Sequence, residues 1–163
     1  MSRLDSFIRR LEAQRRCLNH CAGLLDQVEG PVFELGLGNG RTFDHLRELL
    51  PGREIFVFDK EVAAHPDCIP DEAHLFLGPI SRTLPDAGGR FAKGVALVHA
   101  DLGSGRAEID RETAATLSRH IPPLMAPGGI LLSDLTLELT GSEALALPEG
   151  VAPRRYGIHR FVG

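Results

Sequence analysis

The stretch "VFELGLGNGRTFDHL", Val32 to Leu46, passes from an apolar run through Gly36, Gly38 and Gly40 straight into a helix-like pattern. A strand joined to a helix through so little side chain is the opening unit of a βαβ fold. It also leaves bare backbone at a strand end, where a ligand can come close. The pattern then repeats. "EIFVFD" reads as a second strand ending at Asp59, "AHLFLG" as a third, "GVALVHAD" as a fourth and "GGILLSDL" as a fifth. Between them, "RTFDHLRELL" is a helix closed by Pro51-Gly52, and "DRETAATLSRHIPPLM" is a helix with Asp110 as its N-cap. Pro66 and Pro70 restrict "KEVAAHPDCIPDE" to a short helix, and "ISRTLP" is read as one turn. After the fifth strand, "TGSEALAL" reads as weakly helical and "RRYGIHRFV" as a last strand. Alternating strands and helices predict an α/β fold with a mainly parallel sheet. Ligands of such sheets bind beyond the C-terminal strand ends, near the switch in strand order.

The 163 residues show no repeat and no linker, which predicts one domain. Residues 1–29 form its N-terminal helix, 30–135 its ligand-binding core and 136–163 a C-terminal extension. Along the first segment, Leu4, Phe7, Ile8, Leu11, Leu18, Cys21, Leu25 and Val28 recur at three- and four-residue steps, and Gly30-Pro31 stops the helix. The opposite face carries Arg9, Arg10, Arg15 and Arg16. A formal net charge of −4 gives no footprint for nucleic acid or for a membrane surface. The N-terminus lacks the apolar core of a secretory signal, and three cysteines are too few and too odd for a disulfide framework. The expected location is the reducing cytoplasm.

Glycines alone fit a tight turn as well as a ligand cradle. Asp59 shifts the balance, because it stands 23 positions after Gly36 at the end of the neighbouring strand. A carboxylate there can accept hydrogen bonds from both hydroxyls of a ribose. A dinucleotide fingerprint would place its third glycine at position 41, which is Arg41. The spacing is G-x-G-x-G instead, preceded by Glu34, and no Gly-Lys-Ser/Thr follows to make a P-loop. A nucleotide-linked oxidoreductase therefore stays open as an alternative, with Arg41 against it.

These segments resemble the class I S-adenosylmethionine-dependent methyltransferases, in a compact bacterial form, which implies their three-layer α/β/α Rossmann-like sheet, mainly parallel and here abbreviated at its C-terminal end. "ELGLGNG" is similar to their first motif, "FVFD" to the acidic second-strand motif, "LFLGPI" to the segment beside adenine, and "LVHADLG" and "APGGILLSDL" to strands four and five. The resemblance spans Val32 to Leu135, about two-thirds of the chain. It implies that Glu34 and the loop of Gly36, Leu37, Gly38, Asn39 and Gly40 hold the methionine end of S-adenosyl-L-methionine. Asp59, flanked by Phe58 and Lys60, would take the ribose; Gly78, Pro79 and Ile80 would line adenine. Pro79 stands where the family often has an acidic residue for the adenine amine. The product would be S-adenosyl-L-homocysteine, and the acceptor a small molecule.

Any base for the acceptor belongs at the ends of strands four and five, where His99, Asp101, Ser133 and Asp134 stand. His99 and Asp101 are the candidate catalytic residues, with His99 also at the donor's edge. The same segments are similar to the metal-dependent catechol and caffeoyl O-methyltransferases. Against that pattern, His99 replaces the first aspartate and Leu135 the asparagine, leaving Asp134 as the one retained ligand. Magnesium prefers hard oxygen donors, so no metal site is expected. The N-terminal segment of this family commonly covers the donor's edge, which makes Arg16 and Asn19 candidate lid or carboxylate contacts. The apolar stripe of the same helix is a candidate surface for homo-oligomers. A module that binds the donor without catalysis is the remaining alternative.

Overall fold

The computed structural model describes residues 2–163. One seven-stranded sheet runs through it in the order β3-β2-β1-β4-β5-β7-β6. Its strands are β1 (Val32–Leu35), β2 (Ile55–Asp59), β3 (Leu75–Leu77), β4 (Val95–Ala100), β5 (Met125–Ser133), β6 (Ser142–Leu145) and β7 (Gly157–Phe161). Strands β1 to β5 pair in parallel, while β7 runs antiparallel to β5 and to β6. The helices are α1 (Arg3–Gly23), α2 (Arg41–Leu49), α3 (Ile80–Phe91) and α4 (Ala107–His120).

The two-residue period of the strands divides the interior into two cores. Val32, Val57, Leu97, Ile130 and Leu132 join Leu18 of α1 and Leu46 of α2 on one face. Phe33, Leu35, Phe56, Phe58, Val98 and Leu131 join Leu84 of α3 and Leu117 of α4 on the other. Phenylalanines concentrate in the second core, where Phe58 stacks on Phe76 at 4.5 Å and Phe33 meets Phe91 edge-on at 5.0 Å. Because both faces are covered, β1 and β4 are buried at every position. From β1 the chain moves outward to β2 and β3, then returns to pair β4 on the other side of β1. The β1–β4 boundary is thus the switch point, and the glycine turn lies at its C-terminal edge.

Several local expectations are corrected. Helix α1 starts with a Ser2–Asp5 capping box and ends at Gly23, a turn before Val28. The single turn expected at "ISRTLP" is a 12-residue helix that continues through Pro85, Gly88 and Gly89. Leu84, Ala87 and Phe91 are buried at three- and four-residue spacing, and that packing outweighs the breakers. Asp110 is not an N-cap; it lies inside the first turn of α4 and accepts from the backbone and hydroxyl of Ser104 at 2.7 Å each. "SEAL", rich in helix formers, is the edge strand β6, drawn into the sheet by pairing with β7. The sheet expected to be abbreviated at its C-terminal end carries seven strands, and among the described residues no α-helix follows β5. No described helix is long and apolar enough to cross a membrane.

Candidate functional site

The β1–α2 turn is held by backbone bonds from Gly36 N to Phe58 O and from Gly40 N to Leu37 O, 2.8 Å each. Its glycines do different jobs. Gly36 has φ +95°, and a Cβ there would lie 2.9 Å from both Asp101 O and Leu102 Cδ2, so the turn packs on the loop after β4. At Gly40 an added Cβ would run into Cys68. Gly38, at φ +50°, has nothing within 4 Å of a built Cβ. Its open side belongs to a cleft.

That cleft has a volume of about 540 Å³, within the range of small-ligand sites. The loop Gly36–Asn39, the β2 end Phe58–Lys60 and the segment Gly78–Ile80 line it, as does Asp101. Asp59 is more tightly engaged than a solvated strand-end carboxylate. Its Oδ2 accepts from Leu37 N at 2.8 Å and Gly38 N at 3.2 Å, and its Oδ1 accepts from Lys60 N at 2.7 Å and Glu61 N at 3.4 Å. Asp59 therefore also shapes the loop whose far side faces the cleft.

Glu34 and His99 line neither this cleft nor the larger cavity described below. They are register partners on β1 and β4, and both side chains are fully buried. His99 Nδ1 lies 2.6 Å from Glu34 Oε2, while Thr42 Oγ1 donates to Glu34 Oε1. Burial pushes the imidazole pKa down, but the Glu34 carboxylate, helped by Asp101 and Asp134, outweighs it and holds His99 above its ordinary value. His99 Nε2 is buried without a hydrogen-bond partner among the described residues. The pair thus ties the two central strands together beneath the site, and the His99 side chain reaches neither cavity.

Arg16 and Asn19 also lie away from the cleft. Arg16 Nη1 donates to Glu149 O at 3.3 Å, and Asn19 Oδ1 pairs with His45 Nε2 at 2.7 Å. The residues of α1 that reach the cleft come earlier: Phe7, Arg10, Leu11 and Gln14. Arg10 Nη2 donates to both oxygens of Asp101 at 3.2 Å, and Gln14 Nε2 donates to Asp101 Oδ2 at 2.7 Å. The sequence holds a signal for this. Gln14 occupies the step between Leu11 and Leu18 where the apolar stripe calls for an apolar residue, and it is 6% exposed. A buried amide needs a polar partner, and Asp101 is that partner.

Beyond the Arg10–Asp101 bridge a second cavity of about 1040 Å³ opens between α1 and the segment Gly150–Tyr156. Asp134 and the buried Tyr156 are among its walls. Asp134 accepts from Leu102 N at 3.1 Å and Gly103 N at 2.8 Å. Burial, reinforced by the Asp101 charge, still pushes the Asp134 carboxyl up to about 6. Burial and the same Asp101 charge push the Tyr156 phenol up as well. The two cavities share Arg10, Asp101, Gly103 and Ser104.

A seven-stranded sheet of this order, with a glycine turn at the switch point and an acidic end to the adjacent strand, is the class I methyltransferase architecture. The chain belongs to the S-adenosyl-L-methionine methyltransferase family whose model matches residues 1–161. It is similar to the crystal structure of an S-adenosyl-L-methionine methyl transferase from Silicibacter pomeroyi DSS-3, with 46% identity over 99% of each chain and a TM-score of 0.92. The antibiotic-resistance methyltransferase Kmr is similar in fold alone, at 13% identity over 86% of this chain and 90% of that one, with a TM-score of 0.53. No curated protein matches the chain. Family membership decides the donor question left open by the glycine spacing: the cofactor is S-adenosyl-L-methionine.

Proposed function

We propose that the enzyme methylates a small-molecule acceptor, with the donor in the cleft at Gly38 and the acceptor in the cavity beyond Asp101. The observation that carries this reading is the pair of cavities meeting at one carboxylate. S-adenosyl-L-methionine, when bound, supplies a methyl carbon made electrophilic by its sulfonium. The open side of Gly38 fits the approach of its methionine part, since a Cβ there would project into the cleft. The ribose hydroxyls would go to Asp59 in competition with its two longer amide bonds, from Gly38 and Glu61. Phe58 and the Gly78–Ile80 segment would take the adenine face.

The chain's contribution to the chemistry is placement and removal of a proton. Asp101 faces both cavities and is fixed by Arg10 and Gln14, so it is the group assigned to receive the acceptor's proton or to orient its donor atom. His99 acts at one remove, as a positioning residue that fixes Glu34 and the β1–β4 junction. A concave cavity in a chain of net charge −4 favours a small acceptor over a nucleic acid.

Calorimetry with S-adenosylhomocysteine and with NAD tests the donor assignment: micromolar binding of the first and none of the second is expected. Asp59→Ala should weaken the first on the order of a hundredfold, since two hydrogen bonds to a carboxylate are lost. Because Asp59 also holds the loop amides, this variant should melt a few degrees early as well. A loss below about threefold would remove Asp59 from the donor site.

A further inference from the structure

We propose that the second cavity selects an acceptor carrying a carboxylate or phosphate group, held at its rim by Arg9, Arg154 and Arg155. This rests on the reading of that cavity as the acceptor side. An acidic chain with sixteen arginines places four of them around one opening, Arg9 and Arg10 from α1 and Arg154 and Arg155 from the turn before β7. Arg10 is committed to Asp101. The other three have no carboxylate within 4.0 Å among the described residues, and each is exposed.

The acidic groups in the same cavity do not cancel them. Asp101 is paired with the Arg10 guanidinium and accepts from Gln14, and Asp134 is turned to the amides of Leu102 and Gly103. Glu12 is the remaining carboxylate among the lining residues, against three guanidiniums. The rim is therefore cationic and the floor, with Tyr156, Asp134 and Asp101, is polar. Arg154 is held at φ +66°, a conformation few residues other than glycine adopt, so the turn presents its two arginines at a cost in backbone energy. Planar guanidiniums in pairs match carboxylate and phosphate oxygens bidentately. An acceptor anchored by its anion at the rim would direct its nucleophilic atom inward, toward Asp101.

The test uses protein saturated with S-adenosylhomocysteine and titrates inorganic phosphate and citrate, with sodium chloride at equal ionic strength as the control. Each anion should bind at about millimolar concentration, and the tighter of the two names the anion class. Arg9→Ala combined with Arg155→Ala should weaken that binding at least about tenfold while leaving S-adenosylhomocysteine affinity within about twofold. If that pair of changes lowers the melting point, Arg9→Gln with Arg155→Gln repeats the test at nearly constant volume. Unchanged anion binding in both double variants overturns the proposal. So does anion binding that appears only without S-adenosylhomocysteine, because it then belongs to the first cleft. A single-stranded RNA bound at least about a hundredfold more tightly than phosphate, and lost in the same variants, replaces it with a nucleic-acid acceptor. Failure of S-adenosylhomocysteine to bind the unaltered protein would instead sink the donor assignment and is read separately.

Discussion

The two cavities meet at Asp101, yet they are built in opposite ways. The first is built around backbone, the Gly36–Asn39 turn with its amides locked onto Asp59 and the Gly78–Ile80 segment, with side chains of α1 along one side. The second is made of long side chains brought from the two ends of the chain, α1 and the segment before β7. Backbone cradles fit one ligand shape closely and tolerate little change. Side-chain pockets on loops can be retuned without disturbing a fold. Under the function proposed for the two cavities, a constant donor and a particular acceptor make those two demands on one sheet edge.

The largest expected effects come from the backbone side and separate its glycines. Gly36→Ala should lose both stability and binding, because its Cβ would meet Asp101 O and Leu102 Cδ2 at 2.9 Å with φ at +95°. Strain of roughly 1–3 kcal/mol is expected, which lowers the melting point by about 2–4 °C per kcal/mol. Gly38→Ala has room for its Cβ but not the right φ, so it should cost only about 1–2 kcal/mol. Its S-adenosylhomocysteine affinity should nevertheless fall more than about tenfold, since the methyl group projects into the cleft. Melting curves with and without the ligand read both quantities. Normal binding by Gly38→Ala would mean that the turn is not the cradle, and the contrast between the cavities would collapse.

The same contrast explains what the sequence made legible. Gly36, Gly38, Gly40 and Asp59 lie on consecutive elements, and each role follows from local backbone geometry at a strand end. Arg10 and Gln14 meet Asp101 across separations of 91 and 87 residues, and no local spacing encodes that meeting. Arg16 and Asn19 stand on the helix that reaches the cleft but on turns that do not line it, and the signal for the turns that do is Gln14, which interrupts the apolar stripe. His99 was read from its place at a strand end. Its register opposite Glu34 turns it inward, and only the β1–β4 pairing reveals that. In α3 the breakers Pro85 and Gly88-Gly89 hid a helix whose buried face decides its length.

A smaller effect distinguishes the cavities by pH. Asp134 belongs to the second cavity, and its carboxyl is pushed from the ordinary 3.8 to about 6. The folded protein then binds more protons than the unfolded chain between these values, so stability should be full below about pH 4 and fall as pH rises through 6. The loss should be on the order of 1–3 kcal/mol, the upper end being the whole shift without solvent screening. Asp134→Asn should flatten this segment in denaturant titrations. His99, also raised, adds a loss of the same sign at higher pH, above its ordinary 6.5, and Asp134→Asn leaves that part in place. A pH dependence between 4 and 6 that Asp134→Asn leaves unchanged would show that Asp134 is not the buried partner of Asp101.

The smallest expected effect is none, and it concerns metal. The ends of strands β4 and β5 bring two acidic groups, Asp101 and Asp134, to one cavity. Here each candidate donor is already engaged. His99 gives its Nδ1 to Glu34 deep in the sheet, Asp101 is bridged by Arg10 and Gln14, and Asp134 holds two backbone amides. Leu135, next in the chain, has no donor atom. To bind Mg²⁺, Asp101 would have to give up a guanidinium, and the ion would keep most of its water, since hard cations need several oxygen donors. Once an acceptor is found, turnover should be the same within about twofold before and after dialysis against a chelator. Loss of turnover with recovery on adding Mg²⁺ or Mn²⁺ would show that Arg10 yields Asp101 to a cation, and the second cavity would then be a metal site rather than an anion pocket.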